Sequence, residues 1–151
     1  MEIRIRKLAK EDFQKGFLES LSNLFMVGLT IGEAEKIYQK VCYNPVYRLF
    51  VAELDGEVVG VTTLLVEQKF LLKGAKFGYI EDVATRKGFE RKGIGRLLQE
   101  VAIKEAQKEG CCLVRLDSKE KNVPFYEKCG FSKKDGTFRM QINLNTPSLD
   151  S

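Results

Sequence analysis

The sequence predicts an α+β domain with a mixed, mostly antiparallel central sheet flanked by helices, and three observations point there. Two strand-like segments meet at Asp55-Gly56, a dipeptide that favours the tight turn of an antiparallel hairpin. One long helical stripe is present, in which Ile94, Leu97, Leu98, Val101 and Ala102 follow the i, i+3, i+4, i+7, i+8 spacing, with Ala106 a turn further on. That stripe stands between two more strand-like segments, so a strand-helix-strand crossover adds a parallel pair to the early hairpins.

Each element can be placed in order. Ile3 and Ile5 alternate with charged neighbours in the manner of a half-buried strand. Leu8 to Asp12 turns the chain into a helix expected from Glu11 to Asn23, where Phe13, Phe17, Leu18 and Leu21 share an apolar face. A second helix is expected from Gly32 to Val41, ending before Asn44-Pro45 because the residue before proline disfavours helical geometry. Arg48 to Glu53 and Val58 to Val66 are the hairpin strands. Lys73-Gly74 marks the next turn, and Lys76 to Thr85 the strand after it. Gly110 closes the long helix as a C-terminal cap. Leu113 to Asp117 then reads as a strand, Val123 to Lys128 as a short helix ended by Cys129-Gly130, and Thr137 to Leu144 as a last strand. With no repeats, linkers or low-complexity tracts, residues 1–145 read as one domain and residues 146–151 as a flexible polar tail.

Composition narrows the function. A chain of 151 residues that is 44% apolar and 30% charged is expected to be an ordinary soluble globular protein with a real core. No stretch approaches the ~20 apolar residues that span a bilayer, and Met1 to Lys10 lacks the apolar core of a signal peptide, so a cytoplasmic protein without a membrane partner is expected. There is no histidine, which removes imidazole catalysis and the commonest metal ligand. Cys42, Cys111, Cys112 and Cys129 have no metal-binding spacing, so no metal is expected and the thiols are read as reduced and mostly buried. The net charge is +4, and Arg86, Lys87, Arg91, Lys92 and Arg96 crowd one short segment opposed only by Glu90. This cluster is compact and carries no interleaved base-stacking aromatics. It therefore suits a small polyanion rather than nucleic acid.

The chemistry concentrates in Tyr79-Ile80-Glu81-Asp82-Val83-Ala84-Thr85 and, after a loop, Arg91-Lys92-Gly93-Ile94-Gly95-Arg96. A helix N-terminus offers unpaired N–H groups and the positive end of the helix dipole, and so binds phosphate. Gly93 and Gly95 would let a pyrophosphate approach those groups, although simple backbone accommodation also places glycines at helix starts. The segment resembles the acetyl-CoA signature of the GNAT superfamily, Arg/Gln-x-x-Gly-x-Gly/Ala, with Glu90 standing at the first position. Glu90 is compatible with that signature if it points to solvent. Two longer blocks, Gly78 to Val83 and Asn122 to Phe131, are similar nearly residue for residue to the glucosamine-6-phosphate N-acetyltransferases of that superfamily. Weaker likeness extends to Glu67-Gln68-Lys69-Phe70, Leu116-Asp117 and Phe13 to Phe17.

The resemblance implies the GNAT fold, acetyl-CoA as cosubstrate and an amino-sugar phosphate as acceptor. It puts the Val83 N–H at the acetyl carbonyl, with Ala84 and Thr85 beside the cofactor. It puts Arg91, Lys92, Gly93, Ile94, Gly95 and Arg96 on the pyrophosphate and Asn122 on the pantetheine arm. Tyr126 would protonate the departing thiolate, since a phenol is a donor at neutral pH. Glu81, Asp82 and Asp117 would line the sugar pocket, and Glu81, Asp117 or a water they hold would take the amine proton. Phe125, Cys129 and Phe131 are assigned to packing.

The chain departs from the family where the sugar phosphate is recognised. Two family histidines are Leu72 and Tyr79 here, Phe25 or Met26 replaces an early threonine, and a late basic residue aligns with Asn143. Lys69, Lys73 or Arg139 could restore the positive charge, Arg139 being the better bidentate partner for a phosphate. The resemblance also implies a homodimer in which the C-terminal strand takes part. Two other readings stand beside this one. The first is acetyl transfer to another small amine or a protein N-terminus. The second is an acyl-CoA-binding domain without turnover, against which stands the retention of Tyr126 with Glu81 and Asp117.

Overall fold

The computed structural model describes residues 2–145 and 147. Among these residues five strands form one sheet: β1 (Arg4–Lys7), β2 (Tyr47–Leu54), β3 (Glu57–Gln68), β4 (Lys76–Thr85) and β5 (Cys111–Leu116), neighbours in that order. The first three pairings are antiparallel and β4–β5 is parallel, so the expected mixed sheet is present. Asp55 and Gly56 take φ of 51° and 80°, the left-handed pair that a two-residue hairpin turn needs. The helices are α1 (Phe17–Ser22), α2 (Ile31–Val41), the short α3 (Leu71–Gly74), α4 (Ile94–Lys108) and α5 (Val123–Lys128). No helix among the described residues is long and apolar enough to cross a membrane. The polypeptide divides into two compact units at the Leu116/Asp117 junction, the first holding the whole sheet.

Both faces of the sheet are covered within the first unit. On one, Phe13 and Phe17 meet edge to face at 5.2 Å and pack with Leu8, Val51, Val58, Val61 and Ala84. On the other, Ile94 and Leu98 of α4 pack with Phe50, Ala52, Leu54 and Val59. Gly60 makes this second contact possible. A Cβ there would sit 2.5 Å from the Ile94 side chain, so only glycine lets α4 lie so close on β3. The far end of α4 is tied to β2 by Arg48, which pairs with Glu105 at 3.4 Å and Glu109 at 3.3 Å. The helix is thereby fixed at both ends.

Several expectations need correction. The helix from Glu11 to Asn23 is two pieces, a 3-10 segment Lys10–Gln14 and α1. They part at Gly16, whose φ is 110°, where the Lys15 carbonyl accepts the Val58 N–H at 2.7 Å instead of a helical one. The Lys73-Gly74 turn lies inside α3, with Leu72 and Lys73 left-handed. The cysteines are not buried: Cys112 is exposed and the other three are partly so. Thr137 to Leu144 forms no strand. Phe138, Met140, Ile142 and Leu144 alternate as a strand should, yet they are 80–91% exposed. Alternation defines a face that can pack, but a strand exists only when a neighbour completes its hydrogen bonds. The expected tail at 146–151 lies outside the described residues, Pro147 excepted.

One ion pair anchors the start of the chain. Asp12 is 1% exposed and accepts two hydrogen bonds from the Arg6 guanidinium, at 2.8 and 2.7 Å, and one from the Ala9 N–H at 2.8 Å. Burial alone would raise the Asp12 carboxyl, but the Arg6 and Ala9 donors outweigh it and hold the group below its ordinary value. A depressed carboxyl stabilises the fold above its unfolded pKa of about 4 and loses that contribution as pH falls through the folded value. Asp12→Ala is expected to cost about 2 kcal/mol in urea unfolding at neutral pH, because it removes two charge-assisted hydrogen bonds from Arg6, which keeps only the longer pair with Glu53 at 3.4 Å. The deficit should shrink below about pH 4, where the parent loses the same interaction. A deficit independent of pH would contradict this account.

Candidate active site

The site begins where two strands part. The β4–β5 ladder runs from Lys76↔Cys111 to Ile80↔Leu116 and stops there. From Glu81 to Thr85, β4 therefore continues without a β5 partner. On its other side the register slips between Val61↔Ala84 and Thr63↔Glu81, which sets Thr62 alone opposite Asp82 and Val83. This is a β-bulge, and Asp82 bears it at φ 54°, a region that a short polar side chain tolerates. Bulge and parting together carry Val83, Ala84 and Thr85 past the end of the β5 ladder, with Ala84 buried and Val83 and Thr85 half-buried. Glu81 is half-buried and Asp82 is exposed.

The chain then enters the basic loop and α4. Arg91 and Gly93 are left-handed, at φ 62° and 80°, immediately before the first helical turn. No side chain caps that turn and it contains no acid. Its N–H groups remain available to an external anion, with Arg91, Lys92 and Arg96 exposed around them. Arg96 also pairs with Glu100 one turn on, at 3.3 Å. Arg86 is not part of this array. Its guanidinium lies against Gly16 and over the Phe89 ring, with its carbon 6.0 Å from the ring centre.

Glu90 neither caps the helix nor points away. It is exposed, but one carboxylate oxygen accepts the Gly88 N–H at 2.8 Å and the other accepts the Asn23 Nδ2 at 3.1 Å. The same Asn23 nitrogen donates to the Thr85 carbonyl at 2.7 Å. The backbone N–H groups of Glu90 itself and of Gly88 hold this carboxyl below its ordinary value. Beyond its place at the end of the expected first helix, nothing in the sequence ties Asn23 to this loop; the only trace is an acid where the signature has Arg or Gln.

The remaining first-unit candidate is Lys69. It is paired with Glu67 at 3.4 Å and lies 5.4 Å from the Phe77 ring centre, so its charge is engaged locally. Leu72, in the position of a family histidine, is 69% exposed. A concavity of about 510 Å³ between Phe13 and Ile31 contains none of the candidates.

In the second unit, Asp117 and Arg139 face each other with a nitrogen-oxygen separation of 3.7 Å, both exposed. Asn122 closes the 3-10 turn Glu120–Asn122 and is exposed, and α5 follows with Pro124 in its first turn. Tyr126 is half-buried between two edge-to-face rings, Phe125 at 5.0 Å and Phe131 at 6.0 Å. Burial pushes its phenol above the ordinary value of 10, with Cys129 adding to the shift. Tyr126 is thus a phenol that keeps its proton across the neutral range. Among the described residues no cluster of three or more Cys, Asp or Glu could hold a metal ion.

A strand opened at a bulge, followed by a glycine-flanked, uncapped helix start ringed with cations, is the arrangement of an N-acyltransferase that grips a diphosphate-bearing donor. The comparisons agree, and the chain belongs to the Acetyltransferase (GNAT) family, matched over residues 5–131. Its relatives include the glucosamine 6-phosphate N-acetyltransferase of Arabidopsis thaliana, 34% identical over 87% of this chain and 91% of the relative. The Candida albicans enzyme of the same name is 36% identical over 89% of this chain and 91% of its own. A crystal structure of the Arabidopsis thaliana enzyme superposes with a TM-score of 0.87 at 31% identity, covering 95% of this chain and 100% of that one.

Proposed function

We propose that this chain transfers the acetyl group of acetyl-CoA to the amine of glucosamine 6-phosphate, giving N-acetylglucosamine 6-phosphate, a precursor of UDP-N-acetylglucosamine. The observation that carries the reading is the end of the β4–β5 ladder at Ile80, which leaves the backbone at Val83 open to an acyl carbonyl. The names of the relatives supply the acceptor.

Acetyl-CoA supplies the activated acyl group, and the protein's residues arrange everything else. The uncapped N–H groups of α4, opened by Gly93, Ile94 and Gly95 and flanked by Arg91, Lys92 and Arg96, fit a pyrophosphate. The Val83 N–H donates to the acetyl oxygen as negative charge gathers there, Ala84 and Thr85 border the thioester arm, and Asn122 binds the pantetheine amides. The sugar amine forms a C–N bond with the acetyl carbon while the C–S bond breaks. Tyr126 gives its proton to the departing thiolate, and Glu81, Asp117 or a water held by one of them takes the amine proton. Asp82 and Lys69 complete the sugar pocket. Arg139, beside Asp117, takes the phosphate in place of the family histidines replaced by Leu72 and Tyr79.

We also propose that residues 1–145 act as one acetyltransferase domain, in the cytosol, as a homodimer. The dimer is supported by the alternating, almost fully exposed Phe138, Met140, Ile142 and Leu144, a ready-made strand face that a second copy can pair and cover.

Free-thiol release from acetyl-CoA should depend on glucosamine 6-phosphate, and Tyr126→Phe should lower kcat about a hundredfold. A variant as fast as the parent would remove Tyr126 from its role, and equal turnover with polyamines or peptide N-termini would move the acceptor elsewhere. Arg139→Ala should raise KM for glucosamine 6-phosphate about tenfold while leaving that for acetyl-CoA alone; an unchanged KM would exclude Arg139 as the phosphate ligand. In sedimentation equilibrium at micromolar concentration the parent should be dimeric and Ile142→Asp monomeric, and a monomeric parent would refute the dimer.

A further inference from the structure

We infer that Asn23 and Glu90 form a latch that holds the loop before α4 in its anion-binding shape and ties that loop to the end of α1. This makes Glu90 a positioning residue for acetyl-CoA, and the inference rests on the acetyl-CoA reading above. A carboxylate beside a diphosphate site is an electrostatic liability, because like charges oppose binding. Its presence at the signature's first position needs a compensating function, and the geometry supplies one.

The two oxygens of Glu90 hold two different parts of the fold. Oε2 accepts the Gly88 N–H at 2.8 Å, which closes the loop on itself. Oε1 accepts Asn23 Nδ2 at 3.1 Å, and that nitrogen also donates to the carbonyl of Thr85, the last residue of β4, at 2.7 Å. One amide nitrogen thus bridges the strand end and the loop carboxylate. Asn23 is itself fixed, since it caps the C-terminus of α1 and its backbone N–H reaches the Ser20 carbonyl at 3.3 Å.

The residue after Glu90 shows why a latch is needed. Arg91 is left-handed at φ 62°, which a long side chain adopts only where its surroundings impose it. Beyond it come Lys92 and Gly93, and then the first turn of α4. Glu90 fixes one side of the strained residue and the seated helix fixes the other. Released from Gly88 and Asn23, the loop would relax towards ordinary backbone geometry and its N–H groups would no longer converge.

The sign of a binding change separates this from simple electrostatics. Coenzyme A binding is measured by calorimetry for the parent, Glu90→Ala, Asn23→Ala and the double variant, with circular dichroism to confirm that each is folded. In parallel, the proteins without coenzyme A are digested briefly with trypsin, and cleavage after Lys87, Arg91 and Lys92 is followed by mass spectrometry. The latch predicts that each single variant binds coenzyme A about tenfold more weakly, although Glu90→Ala removes a negative charge. The double variant should lose clearly less than the product of the two single losses, because the Asn23–Glu90 bond is counted in both. Loop cleavage should accelerate in all three, and kcat at saturating acetyl-CoA should stay within about twofold of the parent. Tighter or unchanged binding in Glu90→Ala, or losses that simply add in the double variant, would overturn the latch. If the parent binds no coenzyme A, the acetyl-CoA reading fails, and the trypsin rates then decide the latch alone: faster cleavage supports it and unchanged cleavage refutes it.

Discussion

The end of the β4–β5 ladder at Ile80 is the constraint from which the rest of the site follows. A parallel pair shares its backbone hydrogen bonds only while the strands stay in register and alongside each other. Past that point, each N–H and C=O on the parted edge needs another partner. The bulge of Asp82 and Val83 against Thr62 turns β4 at this place, and it uses a left-handed aspartate to do so. A parted edge therefore stands at the end of the parallel pair. A group offering a carbonyl can use it as a strand would.

The second requirement is that the start of α4 be held firmly, since an anion site made of N–H groups works only if they converge. The helix is seated at one end by Ile94 and Leu98, which are 1% and 0% exposed, over the absent side chain of Gly60. At the other it is held by Arg48, whose side chain is only 16% exposed and meets two acids at the end of the helix. Apolar close approach fixes the height of the helix above the sheet. The ion pairs fix its rotation, and their partial burial makes them less sensitive to salt than surface pairs.

Most of the fold was legible because its signals were local. The Asp55-Gly56 hairpin, the Ile94-to-Ala106 stripe, the strand ending at Thr85 and the short helix from Val123 each depend on neighbours within a few residues. The failures have the opposite character. Gly16 breaks the first helix because the Lys15 carbonyl is claimed by Val58, a residue more than forty positions away that no periodicity reveals. The segment from Thr137 to Leu144 has a clear strand pattern and no strand, because pairing is supplied by a partner and not by the segment itself. Among the candidate site residues, Glu81 and Val83 lie on β4 and Gly93 stands just before α4, the strand and helix start that spacing pointed to. The Asn23 link could not be read that way, since it joins side chains far apart in sequence through an acid that breaks the expected signature.

Tyr126 shows how far an independent physical property can support a role suggested by resemblance. A donor that protonates a thiolate must itself be protonated beforehand, so an environment that brought its pKa below the working pH would defeat it. The rings of Phe125 and Phe131 do the reverse. They exclude water from part of the phenol, and burial then penalises the phenolate more than the phenol. A phenol is protonated at neutral pH in any case, and the apolar packing of α5 widens that margin. Replacing either ring by a polar group would loosen the packing and lower the phenol together, which ties the phenol's protonation to the stability of the small helix that carries it.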